Sequence, residues 1–138
     1  MRDPRAVLRS QIVGQWLEDQ GFHIRDWGLL EATLERPWQQ FEGVELYPDI
    51  WLKTAALLDS IESSHPLYDG NKRAGVLLAS LMLSSQGIDD NLISDESWFN
   101  IVCDIASTHP SLDEIALMLR SSVDGQPTLR SNASDTRF

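Results

Sequence analysis

Cysteine is almost missing from this chain: Cys103 stands alone in 138 residues. A single thiol closes no disulfide and builds no cysteine-based zinc site. Its neighbours Ile101, Val102 and Ile105 make a core position the expectation, ahead of a nucleophile. No apolar run approaches the length of a membrane span. The opening M-R-D-P-R-A-V-L-R-S holds no apolar core of a signal peptide, so a cytoplasmic protein is expected. Cations are scarce as well, with 11 Lys and Arg against 21 Asp and Glu and a net charge of −10. That balance argues against direct nucleic-acid binding, which needs cations to displace counterions from phosphates. It suits a chain with a basic partner. No internal repeat is present. The length fits one domain over residues 1–122, followed by a tail at 123–138 poor in large apolar residues and expected to be disordered.

What is present reads as helices. Val7, Leu8, Ile12, Val13, Trp16 and Leu17 recur near helical spacing and predict a first helix over 5–20, with Gly21 at its C-terminal end. Trp27 to Glu35 predicts a second, stopped before Pro37. Tyr47 to Ser63 predicts a third, with Pro48 in its first turn. A fifth is expected from Ser94 or Asp95 to Ser107, and a last one from the capping box Ser111/Glu114 to Leu119. Between the second and third helices, Trp38 to Leu46 loses the helical period, and Val44 to Leu46 hints at a short extended piece. Trp16, Trp27, Trp51 and Trp98 are expected in the core, with Trp38 free to meet a partner. His23 and His109 read as connector residues, and Asp89-Asp90 as a solvated loop.

The chemistry concentrates in His65 to Leu83, H-P-L-Y-D-G-N-K-R-A-G-V-L-L-A-S-L-M-L. Its second half is apolar on every side except Ser80 and predicts a buried helix over 71–86, ended by Gly87. Its first half feeds a polar loop into that helix's N-terminus, where backbone N–H groups lack partners and the dipole favours an anion. Gly70 permits a tight turn and close approach of a phosphate. The N–H groups of Gly70, Asn71 and Lys72 can hold phosphate oxygens, and Lys72 and Arg73 add charge. Asp69 is a hard ligand suited to a magnesium ion that also touches phosphates. His65 is an imidazole that can accept a proton from an attacking hydroxyl. The bland alternatives are a structural histidine and an Asp-Gly hairpin turn, but both flanks read as helices. Together the residues point to phosphoryl or nucleotidyl transfer.

H-P-L-Y-D-G-N-K-R closely resembles the signature of the Fic/Doc family, in particular its Doc (death-on-curing) toxin branch. His65, Pro66, Asp69, Gly70, Asn71, Lys72 and Arg73 fit that pattern. Leu67 departs from it, standing where an aromatic residue is usual. The upstream segments G-L-L-E-A-T-L-E-R-P at 28–37 and G-V-E-L-Y-P at 43–48 are similar too, so the resemblance spans about residues 5–122. It implies an all-α bundle of about six helices around the buried helix at about 71–86, with a flap at about 38–46 where a target segment docks in extended form. It further implies ATP with Mg2+ as substrate, His65 as base, Asp69 as metal ligand, and Gly70, Asn71, Lys72 and Arg73 as the nucleotide cradle.

The expected activity is that of a toxin transferring the γ-phosphate of ATP to a Ser or Thr hydroxyl, with elongation factor Tu as the type of target. AMP transfer, the commoner chemistry of the wider family, is the alternative. Lys72 in place of a glycine and Val76 in place of a second arginine favour the kinase. A third possibility is a nucleotide-binding protein without catalysis, which the intact His65 and Asp69 argue against. The self-inhibitory pattern Ser/Thr-x-x-x-Glu-Gly/Asn of some relatives is absent, because Glu42-Gly43 is preceded by Trp38. Inhibition in trans by an antitoxin is therefore expected.

Overall fold

The computed structural model of the chain describes Asp3, Arg5 and residues 8–125. The expected helix at positions 6 and 7 and the expected tail from 126 onward lie outside the described residues. Among those described, six α-helices carry the fold, and the only sheet is a two-stranded hairpin.

Helices α1 (Ser10–Asp19) and α2 (Trp27–Glu35) form one side. Asp26 caps α2 by accepting from the Leu29 N–H, satisfying one of the first-turn donors. A short 3₁₀ turn, Arg36–Trp38, leads into strands β1 (Gln40–Phe41) and β2 (Val44–Glu45), paired Gln40 to Glu45 and Phe41 to Val44. Glu42 and Gly43 between them both have positive φ, 50° and 80°, as a two-residue hairpin turn requires. The expected extended piece at Val44 is thus half of a hairpin.

Helix α3 (Ile50–Ser64) is capped by Asp49, which accepts from the Leu52 N–H, so Pro48 lies before the cap and not in the first turn. Helix α4 (Asn71–Ser85) packs against it, and these two form the middle of the molecule. Their opposite faces feed two cores. Leu57, Ile61, Leu78 and Met82 join Leu17 and Leu30 on the α1–α2 side. Ala55, Leu58, Ala79 and Leu83 meet Ile105 and Leu119 on the other. A fully buried leucine or methionine contributes about 1.5–3 kcal/mol. Truncating Leu78, which has no exposed surface, would cost about 2–5 kcal/mol.

Helices α5 (Asp95–Thr108) and α6 (Leu112–Asp124) complete the far side. Ser94 caps α5, and the Ser111/Glu114 capping box opens α6. Helix α6 runs past the expected end at Leu119. Ser122 donates to the Met118 carbonyl, Val123 packs on the second core, and Gly125 at φ 74° ends the helix. Among the tryptophans only Trp98 is fully buried, while Trp16 and Trp51 are partly so. Trp27, expected in the core, is 49% exposed and lies across Gly14, where any Cβ would meet its ring. Trp38, expected to be free for a partner, instead packs inward between the Arg5 and Lys53 cations.

Candidate active site: the loop between α3 and α4

The loop starts where α3 ends. The His65 N–H donates to the Ile61 carbonyl, and His65 takes the left-handed conformation, φ 52° and ψ 63°. For a residue with a Cβ that backbone costs about 1–3 kcal/mol. His109 ends α5 in the same way, at φ 48°, so the geometry is first a device for stopping a helix. What distinguishes His65 is how the next residues are held. The Arg25 guanidinium donates to the His65 carbonyl at 2.8 Å and to the Ser64 carbonyl at 3.0 Å, capping α3 from a separate segment. The N–H groups of Arg25 and Asp26 both donate to the Pro66 carbonyl, and Tyr68 N–H donates to the His23 carbonyl. A bridge between Ile24 and Leu67 completes this clamp. Leu67 is 1% exposed, so the residue that departs from the aromatic of the family pattern serves as core. The His65 imidazole is exposed and hydrogen-bonds to nothing among the described residues.

Gly70 sits at φ 79°, and a Cβ there would lie 2.8 Å from the Phe22 ring. Both conformation and space demand glycine. The Asn71 side chain closes the loop on itself: its amide nitrogen donates to the Leu67 carbonyl, and its oxygen accepts from the Leu67 N–H, both at 3.1 Å. That leaves its backbone N–H, and not its side chain, for an anion. The Gly70 N–H, expected in the cradle, donates to Asp69 at 2.9 Å. The N–H groups of Asn71, Lys72 and Arg73 face outward from the start of α4 with no acceptor among the described residues. A helix N-terminus left open in this way can receive an anion.

Lys72 and Arg73 are exposed and form no ion pair among the described residues. The Arg73 guanidinium lies 4.6 Å from the centroid of the Phe22 ring, which holds its fork by a cation–π contact. Behind them Glu62 is 4% exposed, and its Oε2 has no hydrogen-bond partner. Burial pushes its carboxyl up to about 7, against an opposing pull from Lys72. Gly75 makes room for it, since a Cβ there would lie 3.0 Å from Oε2. Cys103 is half-buried, and burial raises its thiol pKa, so it is not poised as a thiolate.

Asp69 is exposed, and its one hydrogen bond among the described residues uses Oδ1. No group of three or more His, Cys, Asp and Glu side chains is gathered for a metal among the described residues. A lone hard carboxylate fits magnesium held chiefly by substrate phosphates and water, and does not fit an all-protein metal cage. Asp89 and Asp90 serve as a turn cap and an acceptor for Ser84. Among the described residues His23 contributes only its backbone carbonyl.

Sequence reasoning singled out His65, Asp69 and the 70–73 segment, and the structure places them on one short loop. It did not find Phe22, Arg25 or Glu62. For Glu62 a signal existed, because Leu58, Ile61 and Glu62 share one helical face. For Phe22 and Arg25 none did, since both act across more than 35 residues of intervening chain.

No helix among the described residues is long and apolar enough to cross a membrane. Residues 6–83 match the model of the Fic/DOC family. Over 100 residues the chain is 38% identical to a protein of Mycolicibacterium smegmatis (strain ATCC 700084 / mc(2)155) named "Toxin Doc", covering 70% of this chain and 75% of that one. No solved structure matches it.

Proposed function

The chain belongs to the Fic/DOC family, and from that premise we propose that it is the toxin of a toxin–antitoxin pair that phosphorylates a protein hydroxyl with ATP. The observation that carries this reading is the loop itself. A solvent-facing imidazole, a free carboxylate oxygen and a helix N-terminus with three open N–H groups follow one another within nine residues, and a second segment clamps them. Few structural roles need all three at once.

In this reading the terminal phosphates of ATP lie against the N–H groups of Asn71, Lys72 and Arg73, flanked by the two cations. Arg73, braced on Phe22, presents its fork to phosphate oxygens. Asp69 would hold Mg2+, which neutralises phosphate charge. His65 takes the proton from the target's Ser or Thr hydroxyl as that oxygen bonds to the γ-phosphorus. The bond from the γ-phosphorus to the β–γ bridging oxygen breaks, and ADP leaves. Phosphoryl transfer depends chiefly on positioning and charge stabilisation, which suits a site built from backbone amides and fixed cations.

Elongation factor Tu, through a threonine, is the proposed type of target, with arrest of translation as the outcome. The toxin name of the M. smegmatis relative supports an antitoxin partner that acts in trans. Induced expression in a bacterial host tests this. Growth arrest that depends on His65, together with a phosphate on elongation factor Tu found by mass spectrometry, is expected. Harmless expression of the active chain, or AMP in place of phosphate on the target, would overturn it.

A further inference from the structure

The β1–β2 hairpin has little of its own to hold it in place. It contains two residue pairs, all four residues are exposed, and Phe41, Val44 and Leu46 are 64%, 67% and 47% exposed. A two-stranded ribbon of this size is marginal in water. Yet each strand has a free edge and exposed apolar side chains, the features by which an extended peptide adds to a sheet. To serve that purpose the ribbon has to be fixed from outside.

Lys53 supplies the fixing point. It lies in the first turn of α3 and is 7% exposed, a rare setting for an ammonium unless its donors are all used. They are. Nζ donates to Glu45 Oε1 at 2.6 Å, to the Tyr47 carbonyl at 2.5 Å and to the Pro37 carbonyl at 3.4 Å, and it lies 4.9 Å from the centroid of the Trp38 ring. Those partners are the hairpin's entry, its second strand and its exit. One buried cation therefore gathers both ends of the ribbon, while the Leu46 N–H to Gln39 carbonyl bond closes its base.

We propose that Lys53 is the positioning residue of the flap, holding the β1–β2 edge in the orientation that receives an extended segment of the protein substrate. It rests on the kinase reading only for the identity of that substrate. Lys53 does not act on the nucleotide. It precedes His65, the residue that ends this helix, by twelve residues, which is about 18 Å along the axis. Its loss therefore separates target binding from ATP binding, as a general destabilisation would not.

The test is Lys53→Met, which keeps the stem and removes the cation, beside Glu45→Gln, which keeps an acceptor and weakens the contact. Hydrogen exchange at 39–46 reads the anchor without activity, calorimetry reads Mg-ATP affinity, and initial rates read KM for the target. Expected are faster exchange at 39–46, ATP affinity within about twofold, and a target KM raised roughly tenfold or more with kcat little changed. Glu45→Gln should shift the same quantities by less, and it serves alone if Lys53→Met does not fold. Unchanged exchange at 39–46, or a loss in kcat or ATP affinity with an unchanged target KM, overturns the proposal. If the unaltered chain transfers nothing to any target, the kinase reading fails instead, and exchange alone decides whether Lys53 anchors the flap.

Discussion

Replacing Glu62 with glutamine should remove a pH dependence from the stability of this protein. The carboxyl is 4% exposed with one oxygen unpartnered, so burial disfavours its charged form, and Lys72 only partly offsets this. Its pKa is about 7 in the folded chain against an ordinary 4.5. Between those values the unfolded chain has released the proton and the folded chain has kept it. The folded state binds more protons, so stability falls as pH rises through this window and levels off above it. At 1.36 kcal/mol per pKa unit, the shift from 4.5 to about 7 corresponds to about 3 kcal/mol. Glutamine cannot ionise, so the variant lacks this loss. Its buried amide brings a cost of its own, but that cost is the same at every pH. The informative quantity is the change in the stability difference, measured from urea midpoints at about pH 5 and about pH 8. The variant's standing relative to the unaltered chain should improve by about 2–3 kcal/mol between them. A difference that stays constant, or that moves the other way, would refute the assignment of Glu62 as a buried neutral acid.

Three further substitutions probe the loop. His65→Ala should lower transfer by about 10²–10⁴-fold with an unchanged circular dichroism spectrum, and retained activity removes the imidazole from the mechanism. Gly70→Ala forces a Cβ into a backbone at φ 79° and against the Phe22 ring, so thermal unfolding should show a loss of about 1–3 kcal/mol. Arg25→Ala removes two bonds to the end of α3. It should cost only about 1 kcal/mol because the side chain is exposed, yet loosen His65 enough to lower kcat; an unchanged kcat would show that the clamp is not needed.

Local signals make much of this fold legible in the sequence. Helix α2 is legible residue for residue because a short apolar period stops before Pro37. The buried helix α4 showed itself by its nearly unbroken apolar composition, and α6 by its capping box. The features that escaped are those decided by distant partners. The clamp by residues 22–26, the burial of Lys53 and the stacking of Arg73 on Phe22 join segments far apart in the chain, and no local pattern announces them. Strand β1 is only two residues long, too short to alternate. Trp27 reads as core by residue type, but its ring covers Gly14 from outside. The α6 extension through Ser121 and Ser122 runs against weak helix propensity and is secured by a side-chain bond and by Val123. Within the site, residue types were readable, whereas the engagement of the Gly70 N–H by Asp69 and of the Asn71 amide by Leu67 depends on backbone geometry.

Which phosphorus of ATP is attacked tests the central proposal most directly. Lys72 stands at the start of α4 beside the open N–H groups. On the proposed reading, a lysine here in place of a glycine adds bulk and charge that favour the terminal phosphates over the α-phosphate. The purified chain, incubated with elongation factor Tu and magnesium, should label the target from γ-³²P-ATP and leave it unlabelled from α-³²P-ATP. Target labelled from α-³²P-ATP would contradict the account and make the protein an AMP-transferase.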